Sequence, residues 1–434
     1  MSYIKNITPL LLSATEAFPQ KSRKLNLGIP AISTKFIKDL WYFNPTEIIK
    51  LQNHVSPPSP HTINKTTFGE GDVELSKIIS ISTYKPPYTL QQTNAEELTK
   101  ELFHAKIPKL ERYLKVFENG GIATRHFCVP PEWHRTDHSF EERNDLYIEL
   151  ATQYSVDVIQ ACLQNEAFLQ SPISPKDIDA IIFVSSTGIS TPSIDARVMN
   201  QLPFSDRLKR IPLWGLGCAG GAAGVSRASD FCRAHPEAKV LVVCVELCSL
   251  TFQPNDFSKS NLIGASLFAD GAACILVCGD EVNIAVKKSI PAIIGTGSKW
   301  MPDSENVMGW NIKNNGLHVV FQKSIPAIIT NWLGPFIEQF LLEHELYSEQ
   351  LNHFIAHPGG KKVLKAYEDT LYLAPQKTDI SREILKYHGN MSSPTVLYVL
   401  EQFMLNEGQV EDTGLLVALG PGFCAEAVLL KWRE

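Results

Sequence analysis

The sequence has no excess of basic residues, no long hydrophobic run and no paired cysteine motif. Its 434 residues carry 40 Lys and Arg against 46 Asp and Glu, a net charge of −6, so the whole chain has no electrostatic attraction for nucleic acid or an anionic membrane. No stretch approaches the ~20 apolar residues of a membrane span, and Pro9-Leu-Leu-Leu12 is too short for the core of a secretory signal. The nine cysteines show no metal-ligand spacing, which is typical of a reducing compartment. We therefore expect a cytoplasmic globular protein without a metal site, in which local basic residues must hold any anionic ligand.

The chain is long enough for more than one structural unit. At ~100–200 residues per domain, 434 residues correspond to two or three units. Residues 1–76 stand apart, because Ser56-Pro-Pro-Ser-Pro60 and the polar stretch after it are typical of a linker. We interpret this segment as an N-terminal extension of unknown role, with a disordered tail as the alternative. Residues 77–285 and 286–434 are then two halves of the main body.

Strand and helix patterns alternate after this extension. Apolar runs at 78–81, 178–184, 211–216 and 240–245 predict buried strands. Residues 94–117 predict one helical segment, and residues 145–163 predict an amphipathic helix with apolar side chains every four positions. This alternation predicts an α/β protein whose sheet is mainly parallel and covered by helices.

One cysteine lies in a glycine-rich turn between a predicted strand and a predicted helix. Cys218 belongs to Trp214-Gly-Leu-Gly-Cys-Ala-Gly-Gly221, and its small neighbours allow a substrate carbonyl to approach backbone N–H groups. A helix N-terminus stabilises a thiolate, so we expect the pKa of Cys218 to fall below the ~8.5 of a free cysteine. Cys218 is therefore our candidate nucleophile, and a buried, inert cysteine is the alternative.

The second half repeats this order with different residues at the ends of its elements. His357 follows a predicted strand, and Asn390 precedes a helix for which Ser393 and Pro394 suit the cap and the first residue. The repetition predicts two pseudo-equivalent α/β halves packed face to face. We expect Cys218, His357 and Asn390 to surround one shared cavity.

These three residue types permit acyl transfer with carbon–carbon bond formation. Cys218 can carry an acyl group as a thioester, and His357 can act as its base or ion-pair partner. Donors from His357 and Asn390 that converge on one thioester oxygen would stabilise an enolate, such as the one formed when a malonyl thioester loses carbon dioxide. A hydrolase in which Asn390 orients His357 is an open alternative.

Six motifs in this order resemble those of the type III polyketide synthases, the chalcone-synthase-like branch of the thiolase superfamily, and most closely their bacterial members. The motifs are Ser185-Ser-Thr-Gly-Ile-Ser-Thr-Pro-Ser-Ile-Asp195, Trp214-Gly-Leu-Gly-Cys-Ala-Gly-Gly221, Ser266-Leu-Phe-Ala-Asp-Gly-Ala272, Ile355-Ala-His-Pro-Gly-Gly360, Gly389-Asn-Met-Ser-Ser-Pro394 and Leu419-Gly-Pro-Gly-Phe423. The resemblance implies an αβαβα thiolase-like fold and a cytosolic homodimer. It also implies condensation of an acyl-CoA starter with several malonyl-CoA units, without acyl carrier protein and without a further cofactor.

The resemblance also assigns roles to individual residues. Cys218, His357 and Asn390 match the catalytic triad, and Phe268 matches the phenylalanine that gates the CoA tunnel and helps to orient malonyl decarboxylation. Thr251 and Ser186 match cavity positions, as does Val319, where a residue smaller than phenylalanine implies a roomier cavity. The resemblance also makes four further residues candidates for CoA binding: Arg112, Lys115, Gly359 and Lys362. For Arg112 and Lys115, which lie three positions apart on one predicted helical face, an ordinary solvated face is the alternative.

Three functions are compatible with these residues. The leading one is an iterative polyketide synthase that makes an alkylpyrone, an alkylresorcinol or a small phenolic. The second is an initiating ketoacyl synthase, which condenses once with a carrier-protein substrate; Phe268 and the loop ending at Phe423 favour the first. The third is a non-catalytic acyl-CoA-binding homologue, which the presence of Cys218, His357 and Asn390 together disfavours.

Overall fold

A nine-stranded mixed sheet is the frame of the computed structural model, which describes residues 75–321 and 325–434. The predicted extension at residues 1–76 lies outside the described residues except for Leu75 and Ser76. The described strands are β1 (Lys77–Tyr84), β2 (Tyr88–Gln91), β3 (Thr124–Phe127), β4 (Ala180–Val184), β5 (Lys209–Leu213), β6 (Lys239–Leu247), β7 (Asp270–Cys278), β8 (Ile290–Trp300), β9 (Met308–Lys313), β10 (Gly316–Phe321), β11 (His353–Ala356), β12 (Thr413–Gly420) and β13 (Cys424–Arg433).

Helices cover both faces of this sheet. The described α-helices are α1 (Gln92–Phe103), α2 (Glu111–Asn119), α3 (Phe140–Leu163), α4 (Ile194–Met199), α5 (Gly220–Ala234), α6 (Lys259–Leu267), α7 (Ile325–Ile328), α8 (Gly334–Glu343), α9 (Lys361–Thr370), α10 (Asp379–His388) and α11 (Thr395–Gln402).

The sheet consists of two halves with the same pattern of strand pairing. In the first half β1 pairs antiparallel with β7, β7 antiparallel with β6, and β6 parallel with β4. In the second half β8 pairs antiparallel with β13, β13 antiparallel with β12, and β12 parallel with β11. The halves join where β1 meets β8, at the single pair Lys77 and Ala292. The described residues therefore form two related halves, with β5 added at the outer edge of the first.

The prediction of a mainly parallel sheet is wrong. Parallel pairing is confined to β4 with β5, β4 with β6, and β11 with β12. β13 follows β12 after a turn of three residues, and so short a connection requires antiparallel strands. The hydropathy of a strand buried on both faces carries no information on strand direction, which is why the sequence pattern missed this.

Three of the four apolar cores of the described residues lie between the layers of the fold. One core lies between α3 and one face of the first half of the sheet, and another lies between α8 with α9 and the second half. The central core contains α5, α11 and the inner faces of both halves. Successive residues of β6 alternate between cores, with Val242 in the central one and Val243 in the outer one. The layers therefore run helix, sheet, helix, sheet, helix.

The two central helices approach each other so closely that glycine is required at their contact. A Cβ atom on Gly221 would lie 2.4 Å from the carbonyl oxygen of Ser393 and 2.8 Å from Cγ1 of Val396. A Cβ atom on Gly220 would lie 2.5 Å from Cγ1 of Val184. These small residues bring the N-terminus of α5, just after Cys218, against the start of α11.

Two predicted helices have different bounds in the structure. Residues 94–117 form two helices, α1 and α2, because Pro108 interrupts the hydrogen-bond ladder and Lys109 adopts a φ of 58°. α3 begins earlier than residue 145, where Ser139 accepts a hydrogen bond from the backbone N–H of Glu142 and the Glu142 side chain accepts one in return.

Candidate active site

Cys218 and Asn390 meet at the N-termini of the two central helices. Cys218 lies in a single 3₁₀ turn, Gly217–Ala219, and α5 begins at the next residue. Its Sγ–H donates to Oδ1 of Asn390 over 3.9 Å. Of the nine cysteines, all but Cys218 and Cys424 are buried. Cys218 is therefore partly accessible and in contact with a second candidate catalytic residue.

The predicted lowering of the Cys218 pKa is wrong for this structure. The pKa of Cys218 is raised to about 11, mainly by burial and also by the carboxylate of Glu246, while hydrogen bonds with Ser392 and Asn390 act in the opposite direction. Loss of water around a thiolate outweighs the stabilisation expected at a helix N-terminus. A neutral thiol is therefore the resting form, so attack by its sulfur requires a base.

His357 follows β11 at the same end of the sheet. Its backbone N–H donates to the carbonyl of Val417 on β12 (2.9 Å). β12 ends at Gly420, where a Cβ atom would lie only 2.2 Å from the carbonyl oxygen of Leu216. The end of β12 therefore lies against the segment just before Cys218. Nδ1 and Nε2 of His357 are both buried and have no hydrogen-bond partner among the described residues. Burial lowers the pKa of His357 to about 3, so its imidazole is neutral and both nitrogens are free for a ligand.

Asn390 is fixed by its own loop and by the segment that carries Phe268. Oδ1 of Asn390 accepts from the backbone N–H of Ser392 (2.8 Å) as well as from Cys218. Phe268 and Asn390 form an isolated parallel β-bridge. The use of Oδ1 for these contacts leaves the two Nδ2 hydrogens for a ligand.

A buried carboxylate links the loop after β4 to the start of α11. Glu246, at the end of β6, accepts from the backbone N–H of Ser186 (2.9 Å) and from the hydroxyls of Ser186 (3.0 Å), Thr187 (2.9 Å) and Ser393 (3.0 Å). Burial raises the pKa of Glu246 and these hydrogen bonds lower it. Ser393 therefore bonds a carboxylate instead of capping α11, where Pro394 occupies the N-cap. The hydroxyl of Ser186, predicted to touch substrate, is likewise bonded to Glu246.

Three of the predicted substrate-binding residues line one cavity. Phe268, Thr251 and Val319 are in the wall of a cavity of about 50 Å³, together with Cys248 and several leucines. The hydroxyl of Thr251 donates to the carbonyl of Cys248 (2.7 Å). Ser186 is not part of this wall. The structure thus brings together Phe268, Thr251 and Val319 and places Ser186 elsewhere.

The predicted CoA-binding residues lie on two neighbouring helices. Arg112 and Lys115 are exposed on α2, and Lys362 is exposed in the first turn of α9, directly after Gly359 and Gly360. The α2 segment approaches α9, since a Cβ atom on Gly121 would lie 3.7 Å from Cδ of Lys361. The exposed cations Arg112, Lys115 and Lys362 therefore lie on two neighbouring helices, of which α9 directly follows the turn that carries His357.

Sequence reasoning missed three buried polar residues near the site. Glu246 directly follows the apolar run at 240–245, and a carboxylate in that position was a usable signal. Arg125 and His134 line the cavity with Phe268. Nothing in their local sequence marks them, because their surroundings come from distant parts of the chain.

The fold has two related half-sheets around two central helices, with a cysteine on a turn and a histidine and an asparagine near the ends of a strand and a helix. This combination is typical of a thiolase-like condensing enzyme. Comparison with known proteins agrees. Residues 75–281 match the N-terminal domain of chalcone and stilbene synthases, and residues 293–432 match the C-terminal domain. The chain belongs to the chalcone and stilbene synthase family and is an acyltransferase of the type III polyketide synthase group, as the motifs predicted.

Related proteins match nearly over their full lengths. A Bacillus subtilis protein with a provisional chalcone synthase name is 46% identical over 360 residues, covering 82% of this chain and 99% of the relative. The 1,3,6,8-tetrahydroxynaphthalene synthase of Streptomyces peucetius is 34% identical over 85% of this chain and 97% of its own. The phloroglucinol synthase of Pseudomonas fluorescens is 32% identical over 76% of this chain and 92% of its own.

Solved structures confirm the predicted αβαβα thiolase-like fold. The crystal structure of the tetrahydroxynaphthalene synthase from Streptomyces coelicolor, a bacterial type III polyketide synthase, superposes with a TM-score of 0.76 at 32% identity, covering 82% of this chain and 99% of that chain. A polyketide synthase from the brown alga Ectocarpus siliculosus superposes with a TM-score of 0.76 at 25% identity, covering 84% of this chain and all of that chain. Within residues 75–321 and 325–434, every helix is too short or too polar to span a membrane.

Proposed function

We propose that this protein performs iterative decarboxylative Claisen condensation of malonyl-CoA onto an acyl-CoA starter held as a thioester on Cys218. The observation that carries the proposal is the contact between Cys218 and Asn390. It is supported by His357, whose two buried ring nitrogens have no partner among the described residues. The names of the relatives support it, since tetrahydroxynaphthalene and phloroglucinol are polyketide products. The proposed chemistry uses the two CoA thioesters and no further cofactor.

In the loading step, Cys218 attacks the starter thioester. Because the thiol is neutral at physiological pH, its proton moves to His357 as the sulfur–carbon bond forms. The leaving CoA thiolate takes that proton and departs as the thiol. The products are acyl-Cys218 and a neutral His357, so the histidine is ready for the next step.

In the condensation step, the malonyl thioester loses carbon dioxide and becomes an enolate. An N–H of neutral His357 and the Nδ2 hydrogens of Asn390 donate to its oxygen, where negative charge develops. The enolate carbon then attacks the acyl carbonyl, and the Cys218 thiolate leaves. The extended chain is now a CoA thioester, and its return to Cys218 begins another cycle.

The walls of the cavity support a proposal for the product class. Leu90, Leu98, Leu102 and Phe252 form apolar surface next to Phe268, which suits an alkyl chain. We propose an alkylpyrone or alkylresorcinol, with a small phenolic as the alternative. Arg112, Lys115 and Lys362 are proposed to bind the CoA phosphates close to Gly359, and Phe268 to separate the CoA entry from the cavity.

We further propose that the protein acts as a homodimer. β5 lies at an edge of the sheet, where one side of its backbone has no strand beside it among the described residues. Exposed apolar side chains border this edge: Trp214, with 52% of its surface exposed, Ile189 and Ile312. A second copy would cover this surface. Sedimentation velocity tests it, because Trp214→Glu should give monomers if the edge is the interface.

Mass spectrometry of reaction products tests the proposed function. The purified protein is incubated with malonyl-CoA and a panel of short, long and aromatic acyl-CoAs. Products extended by two or more malonyl units, formed without carrier protein, support iteration. A single condensation that depends on carrier protein would identify an initiating ketoacyl synthase. Binding of acyl-CoA without acylation of Cys218 would identify a non-catalytic homologue.

A further inference from the structure

Two buried polar side chains in the cavity wall lack hydrogen-bond partners. Arg125 is 1% exposed, and its Nε and Nη2 have no acceptor among the described residues. His134 is 5% exposed, and its Nε2 likewise has no partner there. Both residues line the cavity that contains Phe268. Buried polar atoms are almost always satisfied in folded proteins, so these atoms indicate a place where a polar ligand group binds.

The guanidinium of Arg125 is held rigidly by its remaining nitrogen. Nη1 donates to the carbonyl of Ala265 (2.8 Å) and to that of Phe268 (2.7 Å), at the C-terminus of α6. The aliphatic part of the side chain packs on Gly389, where a Cβ atom would lie 2.8 Å from Cγ of Arg125. Nε and Nη2 are therefore donors in a fixed position.

His134 is fixed by aromatic rings. Phe127, Trp133 and Phe252 surround its imidazole in edge-to-face contacts, with ring centroids 5.6, 5.2 and 5.7 Å away. The guanidinium of Arg125 packs on the same Phe127 ring, with its Cζ 5.3 Å from the ring centroid. The two polar groups thus share Phe127 as a neighbour.

The charges in this region favour a neutral ligand over an anion. Burial lowers the pKa of Arg125 to about 9, and the nearby Asp270 acts in the opposite direction. Arg125 therefore stays charged at neutral pH and has an acidic neighbour. Burial lowers the pKa of His134 to about 3, so its imidazole is neutral. The neutral imidazole and the acidic neighbour of Arg125 therefore favour a ligand that binds through hydrogen bonds.

We propose that Arg125 and His134 bind a 1,3-dicarbonyl segment of the acyl chain, which makes the cavity selective for 3-oxoacyl chains over saturated ones. A keto oxygen accepts from Nε and Nη2 of Arg125. The second oxygen, as ketone or enol, accepts from or donates to Nε2 of His134, which can play either role as the neutral ring. A saturated acyl thioester keeps only its thioester carbonyl and leaves one of the two groups unpaired, and a site built to hydrogen-bond discriminates against a ligand that lacks the partner. This inference rests on the proposed function for the origin of such chains.

Binding to the Cys218→Ala protein tests this selectivity without catalysis. Calorimetry compares 3-oxohexanoyl-CoA with hexanoyl-CoA, which share chain length and CoA. We expect a Kd about tenfold lower for the 3-oxo compound, in line with one or two net hydrogen bonds. Equal affinities would overturn the proposal. Glutaryl-CoA is the anionic control, and tighter binding of glutaryl-CoA than of 3-oxohexanoyl-CoA would also overturn it by identifying an anion site.

Two further substitutions in that background remove the donors but keep the packing. His134→Phe retains a ring among the three aromatic neighbours and loses Nε2. Arg125→Lys retains one nitrogen for the carbonyls of Ala265 and Phe268 and loses Nε and Nη2. Each is expected to abolish most of the tenfold preference while the Kd of hexanoyl-CoA changes less than twofold. If both ligands weaken equally, the residues have a structural role and the proposal fails. Should Arg125→Lys not fold, His134→Phe decides alone.

The outcome is separable from the proposed function. Formation of extended products from malonyl-CoA by the unsubstituted protein tests the condensation, and the Kd ratio tests the cavity. Extended products with no 3-oxo preference would reject the inference alone. A 3-oxo preference without extended products would reject the condensation and leave the binding site supported.

Discussion

Asn390 and Phe268 are paired in a parallel β-bridge, in which Asn390 bonds the two chain neighbours of Phe268. The N–H of Asn390 donates to the carbonyl of Leu267, and the N–H of Ala269 donates to the carbonyl of Asn390, both over 2.9 Å. This pattern of hydrogen bonds defines a parallel bridge between Phe268 and Asn390. A shift of the Phe268 loop must also move the amide that contacts Cys218, so the positions of Phe268 and Asn390 are mechanically linked.

Replacement of Asn390 by Ala should impair decarboxylation more than loading. The loss of one donor to a developing oxyanion reduces turnover by about 10²–10³-fold, whereas attack by Cys218 depends on His357. Release of carbon dioxide from malonyl-CoA measures the first step, and capture of radiolabelled starter on Cys218 measures the second. An equal collapse of both would show that Asn390 is structural.

The Cys218→Ala variant should lose loading and chain extension but retain decarboxylation of malonyl-CoA. Its sulfur is absent, while the enolate donors on His357 and Asn390 remain. Acetyl-CoA formation from malonyl-CoA, followed by chromatography, is the measurement, and the double variant Cys218→Ala with Asn390→Ala is the control. Loss of decarboxylation in the single variant would contradict the assignment of separate roles.

Alkylation of Cys218 should accelerate steadily with pH. With the folded-state pKa raised to about 11, the thiolate fraction rises about tenfold per pH unit from pH 7 to pH 10, because thiolate is the reactive form. Iodoacetamide labelling followed by intact-protein mass spectrometry gives the rates, with Cys218→Ser as the background control. A plateau below pH 8 would instead reveal a preformed ion pair with His357.

Gly221→Ala should destabilise the protein by about 1–3 kcal/mol through overpacking of the two central helices. The added methyl group would lie 2.4 Å from the carbonyl oxygen of Ser393, so α5 and α11 must separate. Urea unfolding measures the change. Gly359→Ala is the matched control, since its methyl group would meet nothing closer than 3.6 Å. Equal stability of the two variants would mean that the helix contact tolerates a side chain.

Combined replacement of Arg112 and Lys115 by Ala should raise the KM for malonyl-CoA several-fold and leave kcat unchanged. Phosphate contacts of exposed cations add binding energy equally to the bound substrate and the transition state. Steady-state kinetics at two salt concentrations measures it, and Lys176→Ala, an exposed lysine before β4, is the control. An unchanged KM would support the alternative of a solvated helix face.

Local patterns predicted most of the elements around the site. The apolar run at 240–245 corresponds to β6, and the glycine-rich turn at Cys218 does precede a helix. The pattern could not predict that Pro108 would divide one helical segment into two short helices, since a single proline is also compatible with a kink. Nor could it predict that Ser393 bonds Glu246, because the carboxylate is 147 positions away along the chain.

The sequence by itself determined the alternation of strands and helices, the residue types at their ends and the family, because hydropathy periods, turn glycines and motifs are local properties. The tertiary structure decided which neighbouring strands run antiparallel. It also decided the contact between Cys218 and Asn390 and left polar atoms of Arg125 and His134 without partners among the described residues. It also reversed the expected direction of the Cys218 pKa. The burial of a side chain depends on atoms from distant parts of the chain, so no local stretch of sequence predicts it.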